Sequence, residues 1–213
     1  MSRKAPELRG QIAGYILAGG MSSRLGHDKA LVELAGRPLL LHTQGLLSGV
    51  VGRVTVVAPL RYSALGVNMI PDEWPGYGPL GGIATALRHT GLEMPECEWN
   101  LILGCDMPFL TRDWLEYLVG RARSTTAADV VVPQTSRGLE PLCAAYHTRC
   151  AAALAVALDR GVRKVTDGLK GLAVEYVDEP AWKQFDSRGT LFKNMNTPED
   201  YQEILAAWEA QKP

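Results

Sequence analysis

The sequence predicts an α/β fold with a mainly parallel sheet, and two observations point to this class. Apolar runs of strand length recur from residue 12 onward, and segments with the periodicity of amphipathic helices separate them. Alternation of this kind is typical of strand–helix–strand units. The runs cover residues 12–18, 54–58, 67–70, 101–103 and 130–132. No Ser/Gly-rich linker or charge run divides the 213 residues, so we expect one domain over residues 1–213 with a polar extension at residues 1–10.

The predicted helices are identified by their first residues. Pro38 suits the first turn of a helix over residues 38–47, and a Gly/Pro loop precedes a second helix over residues 80–89. Thr111 is the expected N-cap of a third helix. Thr197, followed by proline, starts a C-terminal helix whose apolar stripe is expected to dock on the body of the protein.

Between residues 133 and 196 the regular alternation weakens. The pattern there predicts a short strand at 142–146, an alanine-rich helix at 151–158, and two further strands at 174–177 and 191–195. We expect this half of the chain to add to the edge of the sheet.

Charge and composition exclude several classes of partner. Twenty-two Lys and Arg residues stand against 23 Asp and Glu, so a net charge of −1 offers no field for a nucleic-acid backbone or an anionic membrane. The first ten residues lack the apolar segment of a signal peptide, and no run approaches the ~20 apolar residues of a membrane span. The four cysteines contain no C-x-x-C pair, which favours reduced thiols. We therefore expect a cytoplasmic protein that binds neither nucleic acid nor membrane.

The segment LAGGMSSRLGHDKAL, which begins directly after the first strand, carries the strongest chemical signal. Its glycines let backbone N–H groups approach a ligand closely, and its basic residues supply local positive charge. These are the properties of a triphosphate cradle, which would use Gly19, Gly20, Arg24, Gly26 and Lys29. The segment is not a Walker A loop, because Lys29 is neither beside a glycine nor followed by Ser or Thr. The alternative is a surface turn with solvated charges.

A second glycine-rich loop, GYGPLG at residues 76–81, matches G-x-G-x-x-G. Five residues, two of them prolines, separate it from the strand that ends near Ile70, whereas the dinucleotide-binding fingerprint lies in a tight turn after a strand. The context therefore disfavours an NAD site. It favours a loop whose backbone lies against a flat ligand, with a helix N-terminus behind it.

Two carboxylates follow predicted strands. Asp106 comes after the strand at 101–103 and before Pro108, which places it at the carboxyl edge of a parallel sheet, where open α/β sheets bind ligands. There it could hold a Mg²⁺ ion that bridges phosphates, or it could serve as a structural cap. The same reasoning applies to Asp72 at the end of another strand.

Together these segments resemble the molybdenum cofactor guanylyltransferases. The matching motifs are LAGG and RLGHDK at residues 17–20 and 24–29, GPLGG at 78–82, CDMP at 105–108 and NMNTPE at 194–199. Their order and combination are far more specific than any one of them. The resemblance implies a Rossmann-like three-layer nucleotidyltransferase fold.

It also implies an activity: transfer of GMP from GTP to molybdenum-carrying molybdopterin, with release of pyrophosphate. Lys29 and Arg24 would act on the phosphates, Asp106 would hold Mg²⁺, and Asn196 would lie near the acceptor or the metal. Transient contact with molybdenum-insertion proteins or molybdoenzyme chaperones is expected. The residues implied to contact the nucleotide are Leu17, Ala18, Gly19, Gly20, Lys29, Asp72, Gly81 and Asp106.

The chain departs from the family pattern at two places. Leu25 stands where Met is usual, a swap that conserves volume. Val57 and Ala58 occupy the place of an expected nucleotide-contacting Asn. Two other functions stay open: a related nucleotidyltransferase that passes CMP to molybdopterin or a nucleotide to a sugar phosphate, and a non-catalytic nucleotide or pterin carrier. The paired glycines and the Asp28-Lys29 pair favour the guanylyl branch by resemblance.

Overall fold

The computed structural model of the protein describes residues 12–19 and 28–210. Its strands are β1 (Ile12–Leu17), β2 (Glu33–Leu34), β3 (Arg37–Pro38), β4 (Arg53–Val57), β5 (Met69–Ile70), β6 (Trp99–Gly104), β7 (Val130–Thr135), β8 (Gly138–Leu139), β9 (Cys143–His147) and β10 (Val174–Val177). Its helices are α1 (Leu39–Ser48), α2 (Pro79–Glu93), α3 (Arg112–Ser124), α4 (Ala151–Asp159), α5 (Val165–Gly168), α6 (Glu179–Lys183) and α7 (Pro198–Glu209). Short 3₁₀ turns cover Lys29–Leu31, Leu60–Leu65 and Thr148–Cys150.

An eight-stranded sheet has the order β10-β7-β9-β6-β1-β4-β5, with β8 paired to β7. Strand β1 lies at its centre and pairs in parallel with both β4 and β6. The pairs β4 with β5 and β7 with β10 are also parallel, whereas β9 is antiparallel to both of its neighbours. The predicted α/β class with a mainly parallel sheet is confirmed.

Helices cover both faces of the sheet, because its central strands are apolar on both sides. In β1, Ile12 and Ile16 pack into one core, and Ala13 and Tyr15 pack into the other. The first core receives α1 and α3, and the second receives α2 and α4. This two-sided burial produces three layers and explains why the strands read as continuous apolar runs.

Two expectations for the second half of the chain are wrong. Strand β9 is not an addition to the edge, since it lies inside the sheet between β6 and β7. The hairpin of β7 and β8, whose turn at residues 136–137 leads into Gly138 with φ +122°, reverses the chain and sends it back antiparallel. Residues 191–195 form no strand: Asp186 accepts from the backbone N–H groups of Thr190 and Leu191, which fixes a turn there instead.

The C-terminal helix α7 docks as predicted. Thr197 and Asp200 form a capping box at its start, in which each side chain accepts from the other residue's backbone N–H. Ile204 is fully buried in a third apolar cluster with Leu34 and Phe109. None of the helices in the described ranges has the length and apolar character needed to cross a membrane.

Candidate active site

A cavity of about 750 Å³ opens at the carboxyl edge of the sheet. Its wall is formed by the ends of β1, β4, β5 and β6, by the first turn of α2, and by the residue before β9. Its lining includes Leu17, Ala18, Gly19, Asp28, Lys29, Val57, Ala58, Asp72, Gly78, Gly82, Gly104, Cys105, Asp106, Leu142 and Asn196. Parallel strands end at one edge, so residues far apart in the sequence meet there.

Lys29, Asp106 and Asn196 meet at this cavity. The Lys29 Nζ donates to Asp106 Oδ2 at 3.4 Å and to Asn196 Oδ1 at 2.5 Å. The Lys29 and Asp106 side chains are 17% and 21% exposed, so water screens their charges less than at an open surface. One ammonium group therefore bridges a carboxylate and an amide oxygen at the cavity wall.

Local structure fixes both residues that supply these oxygens, Asp106 and Asn196. Asp106 lies two residues after the end of β6, and its backbone oxygen accepts from Met195 N at 2.9 Å. A Cβ on Gly104 would lie 2.8 Å from Asp106 Oδ1, so glycine at that position lets the carboxylate fold back over the strand end. The backbone N–H of Asn196 donates to Asp200 at 2.8 Å, which ties this residue to the capping box of α7.

Asp106 does not cap the following helix. Thr111 fills that position, because its side chain accepts from Trp114 N at the start of α3. The carboxylate instead faces the cavity beside Lys29. Of the two roles open for Asp106 from the sequence, the ligand role is the one this geometry favours.

The donor set suits Mg²⁺. Within residues 12–19 and 28–210 no three His, Cys, Asp or Glu side chains form a metal-binding cluster. A carboxylate with a neighbouring amide oxygen fits an ion that commonly takes one or two protein oxygens and fills its other positions with phosphate oxygens and water.

Asp72 also lines the cavity, and the chain holds it firmly. Its Oδ1 accepts from Trp74 N at 2.9 Å and from Thr85 Oγ1 at 3.0 Å. Thr85 is fully buried and accepts in turn from Glu73 N. Both bonds go to one carboxylate oxygen, and no residue in the described ranges donates to Oδ2. None of the residues that the structure describes therefore competes with a ligand for Oδ2.

The second glycine-rich loop meets the cavity through residues other than the one predicted. Gly78, with φ +65°, and Gly82 line it, whereas Gly81 does not. A Cβ on Gly81 would lie 2.7 Å from the Trp74 backbone oxygen, so this glycine permits packing against Trp74. Successive helical residues point about 100° apart, which turns Gly82 toward Leu17 and the cavity and Gly81 away from it.

The other positions singled out from the sequence differ in whether they line the cavity. Gly20, Arg24, Leu25 and Gly26 lie outside the described residues. Val57 and Ala58, which stand in place of an expected Asn, do line the cavity and make that part of the wall apolar. The sequence reasoning assigned no role to Gly104, Leu142 or Asp28; only Asp28 carried a signal, as the partner of Lys29 in the first motif.

Cys105 lies beside Asp106, yet its thiol is not a nucleophile. Burial, reinforced by the Asp106 carboxylate, raises the pKa of Cys105 to about 12. A thiol with such a pKa stays neutral at physiological pH. The described part of the cavity therefore offers binding, charge compensation and alignment.

The three-layer fold and the site at its carboxyl edge define a nucleotidyltransferase of Rossmann-like fold. A family model for the MobA-like NTP transferase domain matches residues 14–174, and the chain belongs to this family. The resemblance found in the motifs is confirmed.

Relatives cover nearly the whole chain. The molybdenum cofactor guanylyltransferase of Syntrophotalea carbinolica is 31% identical over 203 residues, which cover 94% of this chain and 92% of the relative. A probable molybdenum cofactor guanylyltransferase of Pelotomaculum thermopropionicum is 33% identical over 192 residues, with 89% and 90% covered. The crystal structure of molybdopterin-guanine dinucleotide biosynthesis protein A from Archaeoglobus fulgidus matches with a TM-score of 0.79 at 27% identity, covering 93% of this chain and 100% of that chain.

Proposed function

We propose that this protein transfers GMP from GTP to molybdenum-carrying molybdopterin in the cytoplasm, with Mg²⁺ as the metal and pyrophosphate as the second product. The observation that carries the proposal is the meeting of Lys29, Asp106 and Asn196 at a glycine-lined cavity. Relatives that align over about nine-tenths of the chain bear the name of this activity, which supports the same choice. Transient contact with molybdenum-insertion proteins or molybdoenzyme chaperones belongs to the same proposal.

The reaction needs alignment and charge compensation more than covalent help from the protein. An oxygen of the acceptor phosphomonoester forms a bond to the α-phosphorus of GTP. The bond from that phosphorus to the bridging oxygen breaks, and its electron pair leaves with pyrophosphate. Both reactants are anions and repel each other, so a positive group fixed between them lowers the barrier.

The chain's own residues divide this work. Lys29 Nζ lies where it would neutralise charge that develops on the phosphates, and the backbone around Gly19 would cradle the triphosphate. Asp106, with Asn196 beside it, would hold Mg²⁺, which when bound neutralises phosphate charge and orients the oxygens. The predicted contribution of Arg24 is to the same phosphates.

Asp72 is the proposed contact to the base or ribose. Guanine presents N–H groups on its Watson–Crick edge, which a carboxylate accepts, and cytosine has no matching pair. Because Asp72 Oδ1 already accepts two hydrogen bonds, Oδ2 is the oxygen that would accept from the nucleotide. The bonds from Thr85 Oγ1 and Trp74 N to Oδ1 hold the carboxylate group, and so fix the position of Oδ2.

The decisive experiment is pyrophosphate release with GTP, CTP, ATP or UTP, with and without molybdenum-loaded molybdopterin. We expect release with GTP that depends on the acceptor. Equal turnover with CTP would overturn the choice of nucleotide and favour the cytidylyl alternative. Nucleotide binding without release under any condition would favour the carrier alternative.

A further inference from the structure

Two neighbouring side chains from the turn after β4 reach the residue that precedes Lys29. The Tyr62 hydroxyl donates to both carboxylate oxygens of Asp28, at 2.6 and 2.5 Å. The Arg61 guanidinium lies 2.8 Å from the same carboxylate and also donates to the Tyr62 oxygen. Thirty-four positions separate Tyr62 from Asp28, so this is a tertiary contact.

Asp28 connects this contact to the position of Lys29. Its side chain accepts from Ala30 N at 3.2 Å, which makes it the N-cap of the 3₁₀ turn Lys29–Leu31. Its backbone oxygen also accepts from Leu31 N. A three-residue turn has too few bonds of its own to be stable alone. By stabilising this turn, the Asp28 carboxylate fixes the direction in which the Lys29 side chain leaves the backbone.

The hydroxyl that holds Asp28 is itself well fixed. Tyr62 is fully buried in the core that also contains Leu40 and Val56. Burial, together with the bond to Asp28, raises the pKa of Tyr62 above its ordinary value, so the hydroxyl keeps its proton and remains a donor. Hydrogen bonds to charged groups are stronger than those between neutral groups.

Arg61 adds an electrostatic effect. Without a counter-charge, the Asp28 carboxylate would offset much of the positive field of the adjacent Lys29. The guanidinium at 2.8 Å compensates it, so the Lys29 ammonium can act on an anionic ligand. The Arg61 side chain is 41% exposed, which weakens but does not remove this compensation.

We propose that Tyr62 is a positioning residue for the transfer reaction: its hydroxyl holds Asp28, and Asp28 directs Lys29 into the cavity. This inference rests on the proposed function for its kinetic test, but it concerns a residue that does not itself touch the substrate. It predicts that Tyr62 acts only through Lys29.

The test is a double-mutant cycle with Tyr62→Phe, which removes the hydroxyl and keeps the buried ring. In the presence of Lys29 we expect kcat/KM for GTP to fall about tenfold. In a Lys29→Ala background the same change should alter kcat/KM less than about twofold, because the group it positions is gone. Equal losses in both backgrounds would show a general structural role and overturn the proposal.

Tyr15→Phe is the matched control. Tyr15 is also fully buried, and its hydroxyl makes two hydrogen bonds, to His89 and Thr90, neither of which lines the cavity. We expect both phenylalanine variants to lower the thermal unfolding midpoint, and only Tyr62→Phe to lower kcat/KM. An unchanged kcat/KM in Tyr62→Phe overturns the proposal.

A binding measurement separates this inference from the proposed function. Calorimetry with magnesium tripolyphosphate probes the Lys29 region without a base or an acceptor. We expect Tyr62→Phe to raise the Kd several-fold when Lys29 is present and to leave it unchanged in the Lys29→Ala background. If no nucleotide supports pyrophosphate release, the proposed function fails, while this cycle still decides whether Tyr62 positions Lys29.

Discussion

Polar side chains gather at both ends of the central sheet, and the two groups differ in whether they face a cavity. At the amino edge, Tyr15, Thr90 and Asn100 are completely buried and bond to one another in a chain. At the carboxyl edge, Lys29 and Asp106 bond to each other but remain about one-fifth exposed at a cavity wall. The first group is uncharged and the second is an ion pair, and only the second group faces space for a ligand.

The amino-edge chain has a consistent proton arrangement. Thr90 donates to the Asn100 side-chain oxygen at 2.5 Å, so the Tyr15 hydroxyl donates to Thr90 and accepts from His89 Nδ1. The Asn100 amide then donates to the Tyr146 backbone oxygen and to a threonine hydroxyl. Each group uses its capacity within the protein, which is how buried polar groups avoid a desolvation cost.

This contrast separates polar groups that maintain the fold from those that serve a reaction. A group whose partners are all internal contributes stability, whereas a group at a cavity retains bonding capacity that a ligand can use. Substitutions at the amino edge should therefore lower the free energy of unfolding without changing transfer. Substitutions at the carboxyl edge should lower transfer and leave the free energy of unfolding nearly unchanged.

The largest effect is expected for Asp106→Asn, which removes the charge and nearly keeps the shape. If Asp106 holds Mg²⁺, transfer should fall by about 10³-fold, or roughly 4 kcal/mol of transition-state stabilisation, with a raised Mg²⁺ requirement. Thermal unfolding should stay near that of the wild type. Steady-state kinetics over a Mg²⁺ titration measures this, and a wild-type rate at limiting Mg²⁺ would rule out the metal role.

Lys29→Ala should have the second largest effect. Removing a charge that meets the phosphates in the transition state should lower kcat/KM by about 10²-fold, or roughly 2.7 kcal/mol. The measurement is GTP-dependent pyrophosphate release, with Lys193→Ala as a control. Lys193 is an ion-paired lysine, bonded to Glu203, that does not line the cavity. If both lysine variants behave alike, Lys29 has no special part in transfer.

Thr90→Val should lower stability and leave transfer unchanged, the opposite of what is expected for the two cavity variants. The substitution keeps the volume but leaves the Tyr15 hydroxyl and the Asn100 side-chain oxygen without this partner. We expect the free energy of unfolding to fall by about 1–3 kcal/mol, as measured by denaturant titration. Transfer at a temperature where the variant is folded should match the wild type, and a large drop in kcat would contradict the division between the two edges.

The smallest effect concerns pH. Burial lowers the pKa of His89, so as the pH falls the unfolded chain takes up this proton before the folded protein does. Stability is therefore full above the ordinary histidine pKa of about 6.5 and declines as the pH falls toward the lowered value.

His89→Gln should make the loss of unfolding free energy between pH 7 and pH 5 shallower, by at most about 1.4 kcal/mol per pH unit. Denaturant titrations at pH 7, 6 and 5 measure this slope. Burial also lowers the pKa of His147, which remains in the variant, so part of the slope should persist. An unchanged slope would mean that His89 is not linked to folding.

The sequence predicts the sheet class and most elements because two-sided burial leaves a direct mark on composition. It does not predict the place of β9, since an apolar run looks the same whether its strand is central or at an edge, parallel or antiparallel. The strand predicted at residues 191–195 is wrong for a related reason. Leu191 and Phe192 are buried like strand residues, but Asp186 bonds the local backbone into a turn.

Two residues of the site could be predicted from what precedes them in the sequence. Lys29 follows a glycine-rich loop, and Asp106 follows a strand. Gly81 was predicted to contact the nucleotide, but Gly82 rather than Gly81 lines the cavity, because one helical position changes the direction of a residue by about 100° and a sequence does not fix helix phase that finely. The contact of Tyr62 with Asp28 left no signal, since neither residue is chemically unusual and the pairing exists only after folding.

The bond between Lys29 and Asn196 joins residues 167 positions apart. During synthesis at about 5–20 residues per second, the two ends of this contact are made roughly 8 to 33 s apart. Strands β1, β4 and β6 can pair well before the segment that contains Asn196 exists. The cluster around Lys29 is therefore completed late: β1, β4 and β6 are made long before Asn196, whereas β10 at the edge of the sheet ends only 19 residues before it.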